Sequence, residues 1–257
     1  MSSEKTPAGG PARNRASAEE IDLQRKYYAE TGHRYDDMHL DEADEHFLAL
    51  RFLDSAIGFF GIESLLDVGA GTGRAALYLK PRHPNLRIVS VEPVRELREI
   101  AYAKGLSREE MVDGDATALA FGDGAFDMVC EFGILHHIRT PGAAVAEMLR
   151  VARKGVFISD HNNFGQGSFL SRALKQTLDF LRLWPLVNYV KTGGKGYFIS
   201  EGDGLAYSYS VFNDYGLVSR QCDTYLLNTM PGGINPYRTA THVALLGIKK
   251  GQRVPPG

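Results

Sequence analysis

The chain is predicted to form a doubly wound, mostly parallel α/β sheet, and two features of the sequence indicate this class. Short apolar runs alternate with amphipathic, helix-forming stretches along most of the 257 residues, the order that is typical of strand–helix–strand units. The apolar run at 64–69 passes directly into a loop with glycines at Gly69, Gly71 and Gly73. Such a loop between a buried strand and a helix start lets backbone N–H groups approach a nucleotide-like ligand.

Hydrophobic periodicity places the elements of the main sheet. Five strands are predicted at 64–69, 86–91, 110–113, 126–131 and 156–159. The helices before and between them are predicted at 17–30, 47–60, 72–80, 93–104 and from Thr140 to before Gly155. Their ends are indicated by residues that favour helix starts or stops, namely the Ser17–Glu20 capping box, Pro93, Thr140, Pro141 and Gly155.

The sequence after strand five departs from a minimal fold of this kind. Residues 161–210 contain a loop, a leucine-rich helix that is expected to end at Trp184-Pro185, and a glycine hinge followed by a hairpin. The hinge and the two hairpin strands are assigned to Gly193, Gly194, Gly196, 197–200 and 205–211. Two interpretations of this insertion stay open: a cap over the substrate pocket, which we favour, or a structural element such as a homodimer interface.

The prediction divides the chain into four parts. Residues 1–17, rich in Ser, Ala, Gly and Pro, are expected to be a disordered tail. Residues 18–160 hold the N-terminal helices and the ligand-binding half of the sheet, and residues 161–210 form the insertion. Residues 211–250 are expected to supply a helix at 211–219 and closing strands at 222–229 and 241–249, so that the sheet has seven strands.

Composition narrows the classes of function. The formal net charge is −2 and no lysine or arginine cluster stands out, which argues against a nucleic-acid partner because phosphate binding requires a basic surface. Cys130 and Cys222 lie in apolar runs and are expected to be buried, reduced thiols. Neither a membrane-length apolar run nor a signal-peptide pattern is evident, so we expect a cytoplasmic protein without a membrane partner.

Polar residues follow the predicted strands at one edge of the sheet. In chain order they are Asp67, Glu92, Asp115, His136 and Asp160. Doubly wound sheets bind ligands outside the carboxyl ends of their strands, where the strand order reverses. The convergence of these residues therefore predicts the ligand site at this edge.

Four motifs resemble those of class I S-adenosylmethionine (SAM) methyltransferases. They are the glycine segment at 67–73, Val91-Glu92-Pro93, Asp113-Gly114-Asp115-Ala116, and the entry to strand four at 126–129. The segment 134–138, with its histidine pair, resembles the small-molecule branch often called type 11. The resemblance covers 46–160 closely and 211–250 loosely, and it implies a Rossmann-like methyltransferase fold with SAM as cofactor.

The resemblance also implies which residues bind the cofactor. The acid that ends strand two, Glu92, would take the ribose hydroxyls, and the segment around Asp115 would flank the adenine. Tyr27 and Tyr35 are expected in a lid over the cofactor, although both could instead pack on the edge of the sheet. The full implied set is Tyr27, Tyr35, Asp67, Gly69, Ala70, Gly71, Gly73, Glu92, Pro93, Asp115, Ala116 and Glu131.

Three histidines at the same edge are candidates for a general base. His136 and His137 follow strand four, and His161 follows strand five; a histidine suits proton transfer near neutral pH. Each could equally be structural, and His136 is slightly favoured. A magnesium site of Glu131, Asp160, Asn162 and Asn163 is a minor alternative, and no metal is expected. Some catechol-type methyltransferases that hold a metal carry an adjacent Asp-Asn pair after strand five, and here His161 interrupts that pair.

The sequence therefore indicates a SAM-dependent methyltransferase that acts on oxygen or nitrogen of a small-molecule acceptor. Carbon methylation is compatible with the same scaffold. Two alternatives remain open. One is a NAD-dependent oxidoreductase, which shares the glycine loop and the ribose acid, and the other is a SAM-binding protein without catalysis.

Overall fold

A computed structural model describes residues 23, 24, 26–28, 30, 31, 44–200 and 204–252. Its main sheet has seven strands in the order β3-β2-β1-β4-β5-β9-β8. β1 to β5 run parallel, whereas β9 lies antiparallel between β5 and β8. The predicted fold class, a doubly wound and mostly parallel sheet of the methyltransferase type, is thereby confirmed.

The elements have the following bounds. The strands are β1 Ser64–Val68, β2 Arg87–Val91, β3 Met111–Val112, β4 Phe126–Phe132, β5 Ala152–His161, β6 Tyr197–Ser200, β7 Gly204–Tyr207, β8 Cys222–Asn228 and β9 His242–Lys249. The helices are α1 Glu45–Phe59, α2 Arg74–Leu79, α3 Arg95–Ala103, α4 Pro141–Val151, α5 Phe169–Phe180, α6 Trp184–Lys191 and α7 Val211–Gln221. Short 3-10 turns occupy Leu135–His137 and Asn163–Gly165.

Both faces of the sheet are covered, which explains why its central strands read as continuous apolar runs. On one face α1 buries Leu50 and Leu53 against β1 and β5. On the other face α4 and α7 bury Met148 and Val218 against β4 and β9. This packing fixes the carboxyl ends of β1, β4 and β5 side by side, at the edge where the polar residues lie.

Two predicted helix boundaries are wrong for identifiable reasons. Gly155 does not follow the end of α4 but lies within β5, where a Cβ would overlap the carbonyl oxygen of Gly247 on β9. Its glycine is therefore required by the close approach of a neighbouring strand rather than by a helix end. Pro93 precedes the N-cap of α3, Val94, instead of lying in the first turn.

The insertion also differs from its predicted details. Trp184 and Pro185 begin α6 rather than ending α5, because proline is well tolerated in the first helical turn. The hairpin's second strand ends at Tyr207, and Ser210 caps α7 through a capping box with Asn213. The glycines of the predicted hinge have φ values of 60°, 85° and 80°.

Several sequence predictions fall outside the described residues. They concern the tail at 1–17, the Ser17–Glu20 cap, Tyr35 and the hairpin turn at 201–203. Within the described part of the chain, residues 23–31 are helical wherever they are placed. None of the helices in that part is long and apolar enough to cross a membrane. Cys130 and Cys222 are both buried free thiols, as predicted.

Candidate functional site

A cavity of about 190 Å³ opens at the carboxyl ends of β1, β2 and β4. Six of the predicted site residues line it: Gly69, Glu92, Pro93, Asp115, Ala116 and His137. The rest of its wall comes from the N-terminal helix, the end of β2, the turns after β3 and β4, and the β6–β7 hairpin, which is called the cap hairpin below. These residues are Gln24, Tyr28, Val91, Val94, Gly114, Thr117, Ile134, Ile138, Arg139, Thr140 and Tyr207. The edge predicted from the strand ends therefore does hold a cavity.

The glycine loop is shaped by backbone angles that other residues adopt at a cost. Gly69, Gly71 and Gly73 have φ values of 68°, 56° and 85°, in the left-handed region that favours glycine. The N–H groups of Gly69 and Ala70 donate to the carbonyl oxygen of Val91 at 2.7 and 3.1 Å, which joins the loop to the end of β2. A Cβ on Gly69 would overlap the side chain of Ile134.

Glu92 lies in the wall of the cavity and also organises the loop. Its Oε2 accepts a hydrogen bond from Gly71 N at 2.9 Å, and its Oε1 accepts one from Val94 N at 2.9 Å. Burial raises the pKa of this carboxyl to about 7, although the two backbone bonds act in the opposite direction. Each oxygen keeps a second lone pair, so the carboxylate can also accept from a ligand.

Asp67 is buried beneath the loop and does not line the cavity. Asp67 is only 2% exposed. Its Oδ1 accepts a weak hydrogen bond from Cys130 Sγ at 3.7 Å, and its Oδ2 has no hydrogen-bond partner among the described residues. Burial raises the pKa of Asp67 to about 7. An orphaned buried acceptor beside a glycine loop is the kind of atom that a ligand or a bound water satisfies.

Asp115 makes the turn that follows β3. Its Oδ1 accepts from both the backbone N–H and the hydroxyl of Thr117, at 2.7 and 2.8 Å. This turn presents Ala116 and Thr117 to the cavity, whose wall also includes Glu92. Ala70, Gly71 and Gly73, also predicted to bind the cofactor, lie in the loop but not in the wall of this cavity.

The N-terminal helix reaches the cavity through a residue that the sequence analysis did not select. Tyr28 lines the wall, whereas Tyr27 packs its ring edge-on against Tyr28 and lies against Gly204 of β7. Which of the two adjacent tyrosines points into the cavity depends on how the helix is rotated. The periodicity of this short segment did not reveal that rotation. Tyr35 lies outside the described residues.

His137 ties three segments together. Its Nδ1 donates to the carbonyl oxygen of Leu205 on β7 at 2.7 Å, because a carbonyl can only accept, and its Nε2 lies 3.2 Å from the hydroxyl of Tyr28. Gln24 Nε2 also lies 3.3 Å from Nδ1. Burial holds the pKa of His137 well below its usual range. The imidazole is therefore neutral and joins the N-terminal helix and the cap hairpin to the end of β4.

His136 forms a pair with Asp160. Its Nδ1 lies 2.7 Å from Asp160 Oδ1, and the other carboxylate oxygen accepts from the backbone N–H of Leu135 at 2.8 Å. Burial alone would raise the pKa of Asp160, but the charge and hydrogen bond of His136 hold it below its usual range. A carboxylate that fixes one ring nitrogen orients the other, which is the arrangement of a histidine used for proton transfer.

His136 belongs to a row of five histidines. The ring centroids of His137 and His136 are 4.0 Å apart, those of His136 and His161 are 4.3 Å apart, and those of His161 and His242 are 4.2 Å apart. His46 continues the row at 5.6 Å from His242. His46 and His242 carried no signal in the sequence, since each is a lone histidine far from any motif.

The magnesium set considered from the sequence does not assemble. Asn162 uses its amide to hold the carbonyl oxygens of Pro236, Tyr237 and Ala240, and its Oδ1 accepts from Ser210 at 2.9 Å. Asn162 is therefore a structural residue of the loop before β9.

Asn163 and Glu131 are likewise committed to their neighbours. Lys175 donates to the carbonyl oxygen of Asn163, whose amide donates to Ser208. The Glu131 carboxylate accepts from the backbone N–H groups of Ile134 and Ser159, at 3.0 and 2.9 Å. Glu131 thus holds the turn after β4, and it does not line the cavity described above.

Comparison with known proteins agrees with this geometry. The profile of the family described as "Methyltransferase domain" matches residues 66–159. Norajmaline N-methyltransferase of Rauvolfia serpentina is 30% identical over 119 residues, which make up 42% of this chain and 41% of that protein. Malonyl-(acyl-carrier protein) O-methyltransferase of Geobacter sulfurreducens is 35% identical over 130 residues, or 49% of this chain and 46% of that protein. The matches thus span less than half the length of these curated relatives.

A solved structure extends the comparison to the whole fold. The 1,6-didemethyltoxoflavin-N1-methyltransferase of Burkholderia thailandensis, with bound 1,6-didemethyltoxoflavin and S-adenosylhomocysteine, has a TM-score of 0.58 at 17% identity, covering 96% of this chain and 93% of that one. Residues 66–159 are thus similar to the methyltransferase domain family, and the chain as a whole has the fold of this solved methyltransferase.

Proposed function

We propose that this protein is a SAM-dependent methyltransferase that transfers a methyl group to oxygen or nitrogen of a small-molecule acceptor. The observation that carries the proposal is the cavity at the strand ends, which is lined by Gly69 of the glycine loop and by the buried Glu92. When bound, SAM supplies an electrophilic methyl group on a sulfonium. The chain's task is to orient the acceptor and exclude water.

The cavity residues fit such a cofactor. Glu92 has lone pairs left for two vicinal hydroxyls, and charge-assisted bonds of this kind are among the stronger hydrogen bonds in proteins. The turn at Ala116 and Thr117 lines the same cavity as Glu92. Asp67 lies beneath the loop rather than in the cavity wall, so its role in binding the cofactor is a proposal from the resemblance alone. The roles of Tyr27, Tyr35, Ala70, Gly71, Gly73 and Glu131 stay proposals from the resemblance.

His136 is proposed as the general base. Asp160 holds its Nδ1 at 2.7 Å, so that the ring is fixed with Nε2 as the nitrogen that takes a proton. His161 is the second candidate, since its Nδ1 lies 3.6 Å from the same carboxylate and its side chain is partly exposed. His137 serves instead as a positioning residue, because its two nitrogens bond Leu205 and Tyr28.

The nature of the acceptor is inferred from the cavity wall. Tyr28, Ile134, Ile138 and Tyr207 give it an apolar and aromatic side, while Arg139 brings a cation 5.8 Å from the ring of Tyr207. This suits a planar, weakly acidic molecule better than a charged polymer. Relatives whose names include N- and O-methyl transfer are consistent with either heteroatom.

One experiment separates the three candidate functions. Calorimetry with S-adenosylhomocysteine and with NAD identifies the cofactor, and methyl-labelled SAM supplied with a panel of phenols, carboxylic acids and amines detects transfer. We expect S-adenosylhomocysteine binding, no NAD binding and label in at least one acceptor. NAD binding alone would favour an oxidoreductase, and cofactor binding without transfer to the panel or to a cell extract would favour a SAM-binding protein.

The insertion at 161–210 is proposed to form the interface of a homodimer. α5 and α6 bury none of their residues, and large apolar side chains on them, such as Phe169, Phe180 and Val190, are 73%, 86% and 71% exposed. Exposed apolar clusters of this size mark contact surfaces. Light scattering should give twice the mass of one chain, and Phe180→Asp should reduce it to one; a wild-type monomer would contradict the dimer.

A further inference from the structure

We propose that Glu45, His46 and His242 form a binding site for a divalent first-row transition metal ion, beside the turn that follows β4. The oxygen of Glu45 and one nitrogen of each histidine lie within 4.8 Å of one another. This assignment replaces the expectation from sequence that no metal is bound. The binding itself stands independently of methyl transfer, and only the role assigned to the metal rests on the proposed function.

The distances between donors are those of a nearly formed site. His242 Nε2 lies 3.1 Å from Glu45 Oε1, and His46 Nε2 lies 4.0 Å from the same oxygen. Ligands of a tetrahedral or octahedral ion with bonds of about 2.0–2.2 Å are separated by about 3–3.5 Å. Side-chain movements of about 1 Å would therefore bring the three donor atoms to bonding distance of one ion.

The burial of His242 is a second observation that points to a ligand. His242 is only 7% exposed. Its buried Nε2 lies 3.1 Å from Glu45 Oε1 but makes no aligned hydrogen bond within the described part of the chain. A buried polar nitrogen in this state is costly, and a bound ion removes the cost.

The second ring nitrogen of His46 is held as metal-binding histidines usually are. Nδ1 lies 3.1 Å from the hydroxyl of Ser159 on β5, which leaves Nε2 directed toward Glu45. Such outer hydrogen bonds fix the ring and the tautomer. A Cβ at Gly133 would lie 2.8 Å from this Nε2, so the glycine after β4 leaves the approach to the nitrogen open.

The neighbouring cluster of His136, Asp160 and His161 also has donors within 4.8 Å of one another. Its carboxylate is already committed, since Asp160 accepts from Leu135 N, from His161 N and from the His136 ring. Glu45 Oε1 is the common neighbour of His46 and His242. The Glu45 side chain is 26% exposed whereas that of Asp160 is fully buried, so an ion can reach the Glu45 set from solvent. The set with Glu45 is therefore the better metal site.

Two neutral imidazoles and one carboxylate bind Zn²⁺ or Fe²⁺ with positions left open for a substrate. Gly133 borders the site on one side, and the next residue, Ile134, lines the cavity. An acceptor oxygen bound to the ion would lose its proton more readily. The His161 ring, paired across the strands with His242, is beside the site to take that proton.

The test uses Co²⁺ as a spectroscopic probe on the full chain after removal of metals with a chelator. We expect one equivalent of Co²⁺ to give a visible d–d absorption band, Zn²⁺ to displace it, and both ions to raise the melting temperature. Glu45→Gln and His242→Ala should each weaken Co²⁺ binding at least 10-fold. His83→Ala, which removes a histidine that bonds Asp54 away from this edge, is the matched control and should bind as the wild type does.

The outcomes that overturn the proposal are specific. A folded wild type that binds neither Co²⁺ nor Zn²⁺ stoichiometrically contradicts it, and so does Glu45→Gln with wild-type affinity, since this rim substitution leaves the core intact. Loss of binding in Asp160→Asn but not in Glu45→Gln would place the ion in the other cluster. Metal binding without any methyl transfer would leave this site standing and count only against the proposed function.

Discussion

The carboxylate of Glu92, at the end of β2, accepts a hydrogen bond from the backbone N–H of Gly71 at 2.9 Å. One side chain therefore fixes the glycine loop and faces the cavity at the same time. Because Gly71 has a φ of 56°, the loop adopts a conformation in which this N–H points at the acid rather than along a helix. Loop shape and ligand affinity should consequently depend on the same residue.

Substitution of Glu92 should weaken cofactor binding more than it weakens the fold. Glu92→Gln keeps the size of the side chain but offers one acceptor oxygen where two backbone N–H groups now donate. We expect S-adenosylhomocysteine affinity to fall by about 1–3 kcal/mol, the cost of an unsatisfied buried polar group. Calorimetry on this variant and on Glu99→Gln, a half-exposed acid on α3 that serves as control, measures the difference. Equal affinities in the two variants would refute the role of Glu92.

The stability of the ligand-free protein should fall as pH rises through the weakly acidic range. Burial raises the pKa of Asp67 to about 7 in the folded chain, from the ordinary value of 3.8 that applies in the unfolded chain. Between these values the folded state keeps a proton that the unfolded chain releases, so the stabilisation is complete below about pH 4 and lost by about pH 7. The slope from one such group is up to about 1.4 kcal/mol per pH unit.

Asp67→Asn removes this titration and should flatten the dependence of unfolding free energy on pH between 4.5 and 7. Glu92, whose pKa is also raised to about 7, contributes the remaining slope in the variant. Urea unfolding at several pH values gives the comparison. If Asp67→Asn and the wild type had parallel profiles, the carboxyl would titrate normally in the folded chain.

Gly69 should not tolerate a side chain. Its φ of 68° costs about 1–2 kcal/mol for an L-residue, and a Cβ would overlap Ile134. Gly69→Ala is therefore expected to lower both the melting temperature and the affinity for S-adenosylhomocysteine. Gly58→Ala, in α1 with open space around the new Cβ, should leave affinity unchanged and stability equal or higher. The idea fails if Gly69→Ala behaves like this control.

His137 should control the cap hairpin rather than the chemistry. Its Nδ1 bond to the Leu205 carbonyl is lost in His137→Ala, so amides of β7 should exchange hydrogen faster, while kcat stays within a few-fold once acceptor and cofactor saturate. His136→Ala should show the reverse, a kcat lowered by about 10²–10⁴ with the hairpin still protected. Hydrogen exchange together with steady-state kinetics on both variants decides between the two roles. If kcat fell strongly in His137→Ala but not in His136→Ala, His137 would be the general base and His136 the structural residue.

The sequence by itself determined the sheet, the glycine loop and the acid at the end of β2. These features are local: a strand, its turn and the following helix start lie within about ten residues, and hydrophobic periodicity with glycine spacing encodes them directly. Gly155 and Trp184 show where local patterns fail. Gly155 is a glycine because β9 passes close to it. Trp184 begins a helix, although Pro185 after it led to the prediction that a helix ends there.

Only the tertiary structure decided which polar side chains meet. His242 is brought beside His161 by the antiparallel register of β5 and β9. His46 reaches His242 because α1 packs against β5 and β9. Contacts between residues so distant in sequence depend on strand register and helix packing, which leave no pattern around a single histidine. The choice of Tyr28 over Tyr27 in the cavity wall has the same origin, since it depends on how one helix is rotated against the cap hairpin.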